Sequence, residues 1–300
     1  SYLFTRYMYY TLKQIQVFLA VAQHENVTRA ASELAMSQSA VSTALKELER
    51  RFDILLFDRI GKRLQLNEQG ILLRSKAAGL ISQAEELQRN LIEHSGIGDL
   101  KVGATLTIGN YLAVGIMANF LSEHAGSRVE LTVENTVAIA KRVKNFELDI
   151  GLIEGELQEP ELEVRPWRDD ELVLFCAPNH ALAQKPKLDD LDLLQAEWVI
   201  REEGSGTRQA FDRAMSGILS KLNLKLELQH TEGIKRAVEA GLGVGCLSRI
   251  ALQEAFQRGT LIPLEAPHRN WNRKFYFILH RQKLLSRGVK SWIKHCMEYK

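Results

Sequence analysis

The stretch Ala30-Ala-Ser-Glu-Leu-Ala-Met-Ser-Gln-Ser-Ala-Val-Ser42 decides how the N-terminal part of the chain folds. Its paired alanines are small enough for two helices to cross closely, and Ser37 or Ser39 can supply the side-chain oxygen that caps the second helix. The apolar spacing over residues 12–23 predicts a helix that packs against this pair. Two short helices joined by a tight turn predict a helix-turn-helix.

The second helix of this pair carries a polar outer face. In a helix-turn-helix the N-terminal half of that helix enters the major groove of DNA, where Gln bonds adenine through two contacts and Ser or Thr bonds several bases. The alternative that the residues leave open is a helical hairpin with a solvated polar face. The candidate DNA-contacting residues are Thr28, Ser37, Gln38, Ser39, Ser42, Thr43, Lys46, Arg59, Lys62 and Arg63.

Two features follow the hairpin along the chain. The short apolar runs Leu55-Leu-Phe57 and Leu64-Gln-Leu66 flank a basic turn, which predicts a β-wing. The proline-free segment 68–96 has an apolar seam, which favours a linker helix that pairs with a second copy. A helix packed on its own domain is the alternative.

Composition and charge narrow the class of protein. The chain has 300 residues, of which 45% are hydrophobic and 25% charged, so collagen, a disordered tail and a membrane bundle are excluded. The net charge of +2 hides a distribution: residues 1–63 carry +3, residues 64–94 carry −1 and residues 95–300 carry zero. The excess positive charge thus lies on the candidate DNA-binding module.

The cysteines and the N-terminus indicate a cytoplasmic protein. Three cysteines lie far apart without CxxC or Cys/His spacing, which argues for a reducing compartment without disulfides or structural zinc. Residues 1–10 do not resemble a secretion signal, and we expect a disordered or tag-like arm there.

From residue 100 onward, strands and helices alternate, which predicts parallel sheets covered by helices, with enough strands for two small sheets. Two loops precede helices and offer hydroxyls and free N–H groups to an anion: Ala104-Thr-Leu-Thr-Ile-Gly-Asn110 and Glu203-Gly-Ser-Gly-Thr-Arg208. Ordinary helix capping is the alternative for each loop. The candidate effector-binding residues are Thr105, Leu106, Thr107, Asn135, Glu154, Arg201, Gly204, Ser205, Gly206 and Thr207.

Acidic residues near these loops complicate an anion site. If Glu154 and Glu232 face the cleft, their negative charges oppose an anion unless Arg201 or Arg208 pairs with them. Alternatively, the two carboxylates suit a ligand with an amino group. The eight His show no HxxxH or HExxH spacing, and no general base, nucleophile or metal set emerges. We therefore expect a protein that is not an enzyme and needs no cofactor or metal.

The segment Ala30 to Ser42, with Leu56-Phe-Asp-Arg59 and Leu66-Asn-Glu-Gln-Gly70, resembles the N-terminal signature of LysR-type transcriptional regulators. The segments 105–110 and 201–208 resemble the branch that includes regulators of sulfur metabolism. This resemblance implies a multidomain fold: an all-α winged helix-turn-helix, a long linker helix and an α/β two-lobed effector domain similar to type II periplasmic binding proteins.

The resemblance also implies the organisation and partners of the chain. The expected domains are residues 11–67 for DNA binding, 68–96 for the linker and dimerisation helix, and 97–300 for the effector domain. Within the last, lobe I comprises residues 97–168 and 271–300, and lobe II comprises residues 169–270. The expected partners are double-stranded promoter DNA, a small anionic effector (a sulfur oxyanion or small carboxylate) between the lobes, a second copy in a homodimer or homotetramer, and RNA polymerase as a further candidate, with no membrane.

Two rival classes share part of this pattern. A solute-binding protein for transport of a small anion has the two-lobed half but needs an export signal and has no use for residues 11–67. An enzyme with an appended DNA module needs a general base or metal set in the cleft, and the sequence offers none.

Overall fold

A computed structural model describes residues 9–60, 63–92 and 98–299. The chain forms two compact units: the first comprises residues 1–94 with 282–284, and the second comprises residues 95–281 with 285–300. Among the described residues, no helix combines the length and apolar character needed to cross a membrane. Residues 1–8 of the arm expected over residues 1–10 lie outside the described residues, as do residues 93–97 around the expected boundary between the linker helix and the effector domain.

The first unit is helical with a two-stranded hairpin. Its elements are α1 (Leu12–His24), α2 (Val27–Glu33), α3 (Gln38–Phe52), β1 (Phe57–Ile60), β2 (Arg63–Leu66) and α4 (Glu68–Ile92). Polar side chains fix where the helices begin: Thr11 and Gln14 form a capping box on α1, Asn26 caps α2, and the Ser37 hydroxyl accepts the Ala40 N–H of α3 at 3.2 Å. Of the two serines considered as the cap of α3, Ser37 therefore has that role.

The helices of the first unit cross at small residues. Ala30 and Ala31 are buried and pack with Phe18 of α1 and Val41 of α3 in one apolar core. The hairpin is antiparallel, with Phe57 opposite Leu66, and forms the predicted wing. Because the alanines carry only a methyl group, α2 lies close to both neighbouring helices.

The second unit contains nine strands and eight helices in its described part. Its elements are β3 (Asp99–Ala104), α5 (Leu106–Ile108), a π-helical turn (Gly109–Ala113), α6 (Val114–Glu123), β4 (Arg128–Val133), α7 (Thr136–Lys144), β5 (Ile150–Glu154), β6 (Leu162–Cys176), a 3₁₀ turn (Ala181–Gln184), α8 (Asp190–Gln195), β7 (Glu197–Arg201), α9 (Gly206–Ala214), a 3₁₀ turn (Leu219–Lys221), β8 (Asn223–Leu228), α10 (Thr231–Glu239), β9 (Val244–Ser248), α11 (Arg249–Arg258), β10 (Ile262–Leu264), β11 (Asn272–His280) and α12 (Arg287–Glu298).

The strands form a mixed sheet in the order β4-β3-β5-β11-β6-β9-β7-β8, with β10 on β6. The predicted parallel pairing is confirmed for β3 with β4 and β5 and for β7 with β8 and β9. The prediction missed the antiparallel strands and the joining of the two small sheets into one. Strand β11 runs antiparallel to β5 and β6, and β9 runs antiparallel to β6. The fifteen-residue β6 pairs with β11 along its first part and with β9 along its last part, so it joins the two lobes.

Each lobe has its own apolar cores. Trp167 and Trp292 are buried with Phe120 and Phe275 in lobe I, whereas Trp198 is buried with Phe211 in lobe II. The tryptophans thus serve as core anchors, with Trp271 partly buried beside the second core.

The sequence pattern after residue 100 also predicts helices over residues 110–124 and 207–220, and both have different ends in the structure. The helix expected over residues 110–124 is interrupted by the π-helical turn before α6. The helix expected over residues 207–220 ends at Ala214, because Gly217 soon follows with a φ of +87°, which is incompatible with a continuing right-handed helix.

Candidate functional site

The polar face of α3 lies at the surface of the first unit. Gln38, Ser39, Thr43 and Lys46 are exposed there, and Ser42 is half-buried. The first turn of a helix leaves backbone N–H groups without helical partners, so this end suits phosphate as well as base edges. The surface has the exposure that groove binding needs.

The other candidate DNA contacts surround this helix in the sequence. Thr28 on α2 and Arg59 on β1 are exposed, and Ser37 is both exposed and engaged as the α3 cap. Lys62 lies outside the described residues, as does the side chain of Arg63, whose backbone begins β2.

A cleft opens in the second unit where several strands end. Its cavity has a volume of about 450 Å³, which is within the usual range for small-molecule sites. In α/β folds, ligands bind beyond the carboxyl ends of the strands. The cavity is lined by Leu106, Asn110, Val133, Glu134, Asn135, Ala138, Glu202, Gln229 and His230, from segments that follow β3, β4, β7 and β8.

A buried carboxylate, that of Glu154, lies where the two predicted anion loops converge. Glu154 is 1% exposed at the end of β5. The Thr105 hydroxyl and the Thr107 backbone N–H donate to its Oε1 at 3.0 and 2.7 Å, and the Thr207 hydroxyl donates to Oε2 at 2.9 Å. The predicted anion-binding donors therefore hold the protein's own carboxylate.

The charge of Glu154 is balanced by Arg273 on β11. The guanidinium of Arg273 lies 3.0 Å from Glu154 Oε2 and 2.6 Å from Asp170 Oδ2, and it is 1% exposed. Ser248 donates its hydroxyl to the other Asp170 oxygen at 2.7 Å. Two carboxylates from β5 and β6 are thus joined through one arginine, which links both lobes.

Burial and charge act in opposite directions on Glu154. Burial alone raises the pKa of its carboxyl, but the charges of Arg273 and Arg201 and the hydrogen bonds from Thr107 and Thr207 outweigh it. The pKa therefore lies below its ordinary value of 4.5, and Glu154 is a carboxylate at neutral pH.

The two arginines expected to pair with Glu154 have other partners. Arg201 forms a two-contact ion pair with Glu202 at 2.8 and 2.9 Å. Arg208 lies 2.8 Å from both Asp212 and Glu227. Arg273 pairs with Glu154 instead, since strand β11 is the neighbour of β5 in the sheet. Sequence reasoning missed Arg273, which stands beside Lys274 in the polar start of β11, where no local pattern distinguishes one cation from the other.

The remaining predicted effector residues have capping and packing roles. The Ser205 hydroxyl accepts from Thr207 N at 3.2 Å and caps α9, while Asn135 caps α7 through the Ala138 N–H at 3.0 Å. A Cβ at Gly206 would lie 1.9 Å from the Glu154 carbonyl oxygen, so only glycine fits there.

Some predicted effector residues remain available to a ligand. Leu106 and Asn135 line the cavity. Gly204 has a φ of +84° and lies within the turn before α9, where glycine adopts this conformation without strain.

A hydrogen bond connects the lobes at the exposed side of the cleft. The Tyr111 hydroxyl, in the π-helical turn, donates to Glu232 Oε1 on α10 at 2.7 Å, and Lys235 lies 2.7 Å from the same oxygen. Burial raises the pKa of Tyr111, and the bond to Glu232 raises it further, so the phenol stays protonated. Glu232 therefore pairs within the protein.

A winged helix-turn-helix followed by a two-lobed α/β domain with a polar cleft defines a DNA-binding regulator with a ligand-binding domain. The comparisons with known proteins agree. Residues 12–71 match the bacterial regulatory helix-turn-helix proteins of the lysR family, and residues 94–300 match the LysR substrate binding domain. The chain belongs to the LysR family of transcriptional regulators, which are not enzymes.

Individual relatives support this assignment. The uncharacterized HTH-type transcriptional regulator YeiE of Escherichia coli is 39% identical over 289 residues, which cover 96% of this chain and 98% of the relative. The HTH-type transcriptional regulator CysL of Bacillus subtilis is 31% identical over 90% of this chain and 91% of its own length.

Solved structures show the same architecture. Full-length OxyR of Pseudomonas aeruginosa covers 97% of this chain and 98% of its own with a TM-score of 0.72, and at 20% identity it shows the fold alone. The regulatory domain of CcmR from Synechocystis, solved in complex with 2-PG, is 27% identical, with a TM-score of 0.62 over 67% of this chain and 96% of its own.

Proposed function

We propose that this regulator reads promoter DNA with the exposed face of α3 and the wing, and that a small anion bound in the cleft changes that binding. The observation that carries the proposal is the joint presence of an exposed polar recognition helix and a cleft of about 450 Å³ at the strand ends. A ligand that binds one arrangement of the lobes more tightly than another shifts the population between them. We also propose a cytoplasmic location, because the proposed partner is promoter DNA.

The DNA-binding part is tested with the gene's own upstream region. We expect Gln38→Ala, Ser42→Ala and Arg59→Ala together to weaken binding in fluorescence anisotropy, because they remove candidate base and phosphate contacts. Arg128→Ala, an exposed arginine on β4 of the second unit, is the matched control. Equal affinity of the triple variant and the wild type would refute the assigned DNA surface.

The linker helix supports pairing with a second copy. Among the side chains of α4 that the structure describes, the large apolar side chains of Ile71, Leu72, Leu87 and Leu91 are each more than 60% exposed. Such exposed apolar surface marks an interaction site, and a long helix offers it to an identical helix. Sedimentation analysis of Leu72→Glu with Leu87→Glu would show a shift from dimer or tetramer to monomer, whereas unchanged mass would contradict this interface.

The effector is proposed to be a sulfur oxyanion or a small carboxylate. Asn110, Gln229 and His230 line the cavity with side chains that can donate to an anion, while the amide of the lining residue Asn135 donates to Glu202 at 3.4 Å. Glu202, which also lines it, is neutralised by the adjacent Arg201. The likeness to CysL and to the CcmR domain in complex with 2-PG supports a small anion.

Within this proposal, Thr105, Thr107 and Thr207 act indirectly. They hold Glu154 and so position the loops that border the cavity, while Leu106 and Asn135 face the ligand. An effector with an amino group would also meet Glu134, which lies 3.5 Å from Arg142.

Thermal-shift measurements on the full chain test the effector class. The melting temperatures of the wild type and of Ala138→Trp are each measured with sulfate, sulfite, thiosulfate, acetylserine and small carboxylates. The variant places a large ring in the cavity that Ala138 lines. At 100 times its Kd a ligand stabilises by about 2.7 kcal/mol. A melting temperature that no member of the set raises would contradict a small-anion effector.

A further inference from the structure

A cluster of two histidines and one glutamate joins α6 to α12, and neither the DNA-binding nor the effector proposal uses it. Glu123 is the last residue of α6, His124 follows it, and His295 lies in the last turn of α12. One potential ligand atom from each residue lies within 4.8 Å of the other two. Glu123 is exposed, His124 is half-buried and His295 is 7% exposed, so the cluster opens to solvent from one side.

The ring of His295 is oriented with one nitrogen directed into this cluster. Its Nδ1 lies 2.8 Å from the Ser291 carbonyl oxygen, so Nδ1–H donates and the lone pair is on Nε2. Nε2 is buried and has no hydrogen-bond partner in the described part of the chain. A buried polar atom without a partner is costly, and a metal ion accepts the lone pair that this imidazole nitrogen donates.

The Nε2 atom of His295 faces a carboxylate oxygen at a separation close to that of two ligands on one ion. Nε2 of His295 lies 3.2 Å from Glu123 Oε2. Two ligands on a tetrahedral ion with bonds of about 2.0–2.2 Å are about 3.3–3.6 Å apart. A bound ion therefore needs little movement of either side chain.

Outer contacts hold both rings, as they do in metal sites. Ser291 serves both histidines: its carbonyl oxygen accepts from His295, and its hydroxyl lies 2.7 Å from His124 Nε2. Phe120 packs against the two rings, with centroids 4.7 and 5.4 Å away. Such outer contacts fix the tautomer and direction of ligating histidines.

We propose that Glu123, His124 and His295 bind one divalent transition-metal ion of the Zn²⁺ class, with water in the fourth position. Two imidazoles and a carboxylate suit Zn²⁺, Co²⁺ and Ni²⁺ and disfavour Mg²⁺ and Ca²⁺. The ion would tie the end of α6 to α12 on lobe I, in a site separate from the effector cavity.

Binding of Zn²⁺ to the metal-free full-length chain, measured by competition with a chromophoric chelator, tests the proposal. We expect one site per chain that Glu123→Gln and His124→Ala each weaken at least tenfold, with Ser291→Ala weakening it by about 10–100-fold. Bound Co²⁺ would show the absorption spectrum of nitrogen and oxygen ligands. No thiolate charge-transfer band is expected, because the adjacent Cys296 is buried and is not one of the proposed ligands.

The matched control is His268→Ala. His268 lies 2.7 Å from Asp190, so it reproduces a His–carboxylate pair without a second histidine, and its loss should leave Zn²⁺ affinity unchanged. Both cluster substitutions are at solvent-accessible side chains, and melting curves without metal verify that the variants fold. The proposal would be overturned if the wild type did not bind Zn²⁺, or if Glu123→Gln and His124→Ala both bound Zn²⁺ as tightly as the wild type. Either result would leave a His–Glu ion pair only.

Discussion

Replacement of Arg273 by methionine removes the only charge that contacts both Glu154 and Asp170 within the described chain. Arg273 and Glu154 are each 1% exposed, and Asp170 is 8% exposed. Removal of one partner from a buried ion pair costs about 3–5 kcal/mol, because the remaining charges are left desolvated. We therefore expect the melting temperature of the second unit to fall by on the order of 10 °C.

The pH dependence of Arg273→Met has a definite sign. In the wild type the folded pKa of Glu154 lies below 4.5, so its stabilisation is present above about pH 4.5 and is lost as the pH falls through the folded value. Without Arg273, burial dominates and the folded pKa of Glu154 rises above 4.5. The destabilisation of the variant should then shrink as the pH is lowered from 8 toward 5.

Thermal unfolding of the full chain, followed by circular dichroism at several pH values, measures both effects. Arg249→Met is the control, because the Arg249–Glu171 pair is exposed and is expected to contribute less than about 1 kcal/mol. Adding Glu154→Gln and Asp170→Asn to Arg273→Met should restore part of the stability. An Arg273→Met melting temperature equal to that of the control, or a deficit independent of pH, would refute the account of this network.

Three further outcomes follow from other parts of the chain. Gly206→Ala should lower the melting temperature, because its Cβ would collide with the Glu154 carbonyl oxygen, and a wild-type melting curve would contradict that packing. Arg59→Ala should reduce the slope of log affinity against log salt by about 0.9 if Arg59 contacts phosphate, and an unchanged slope removes it from the DNA surface. Tyr111→Phe should lower the free energy of unfolding by about 0.5–1.5 kcal/mol, because it deletes the hydrogen bond to Glu232. An unchanged free energy of unfolding would contradict a stabilising role for this bond.

The sequence predicts the first unit well because its signals are local. The Ser37 cap, the small alanines and the basic hairpin each act within a few residues of their partners. The apolar positions of α4 are likewise recognised from local spacing within one helix.

The second unit depends on pairings that local patterns do not encode. Antiparallel β11 brings Arg273 beside Glu154, although a long stretch of chain separates them. The sequence pattern predicted that Thr105, Thr107 and Thr207 face an effector anion, whereas in the structure they donate to the carboxylate of Glu154. The cluster of His124 and His295 escaped for the same reason, since motif spacing detects ligands only when they are near in the sequence.

The most direct test of ligand-controlled DNA binding is the affinity of the full chain for its own upstream DNA, measured by anisotropy with and without each small anion. The account predicts that at least one anion changes the affinity or the footprint of the wild type and leaves Ala138→Trp unaffected, because the added ring fills the cavity. An anion that acts equally on the wild type and on Ala138→Trp would contradict the assignment of the cleft. DNA binding that no small anion alters would contradict control by such an effector.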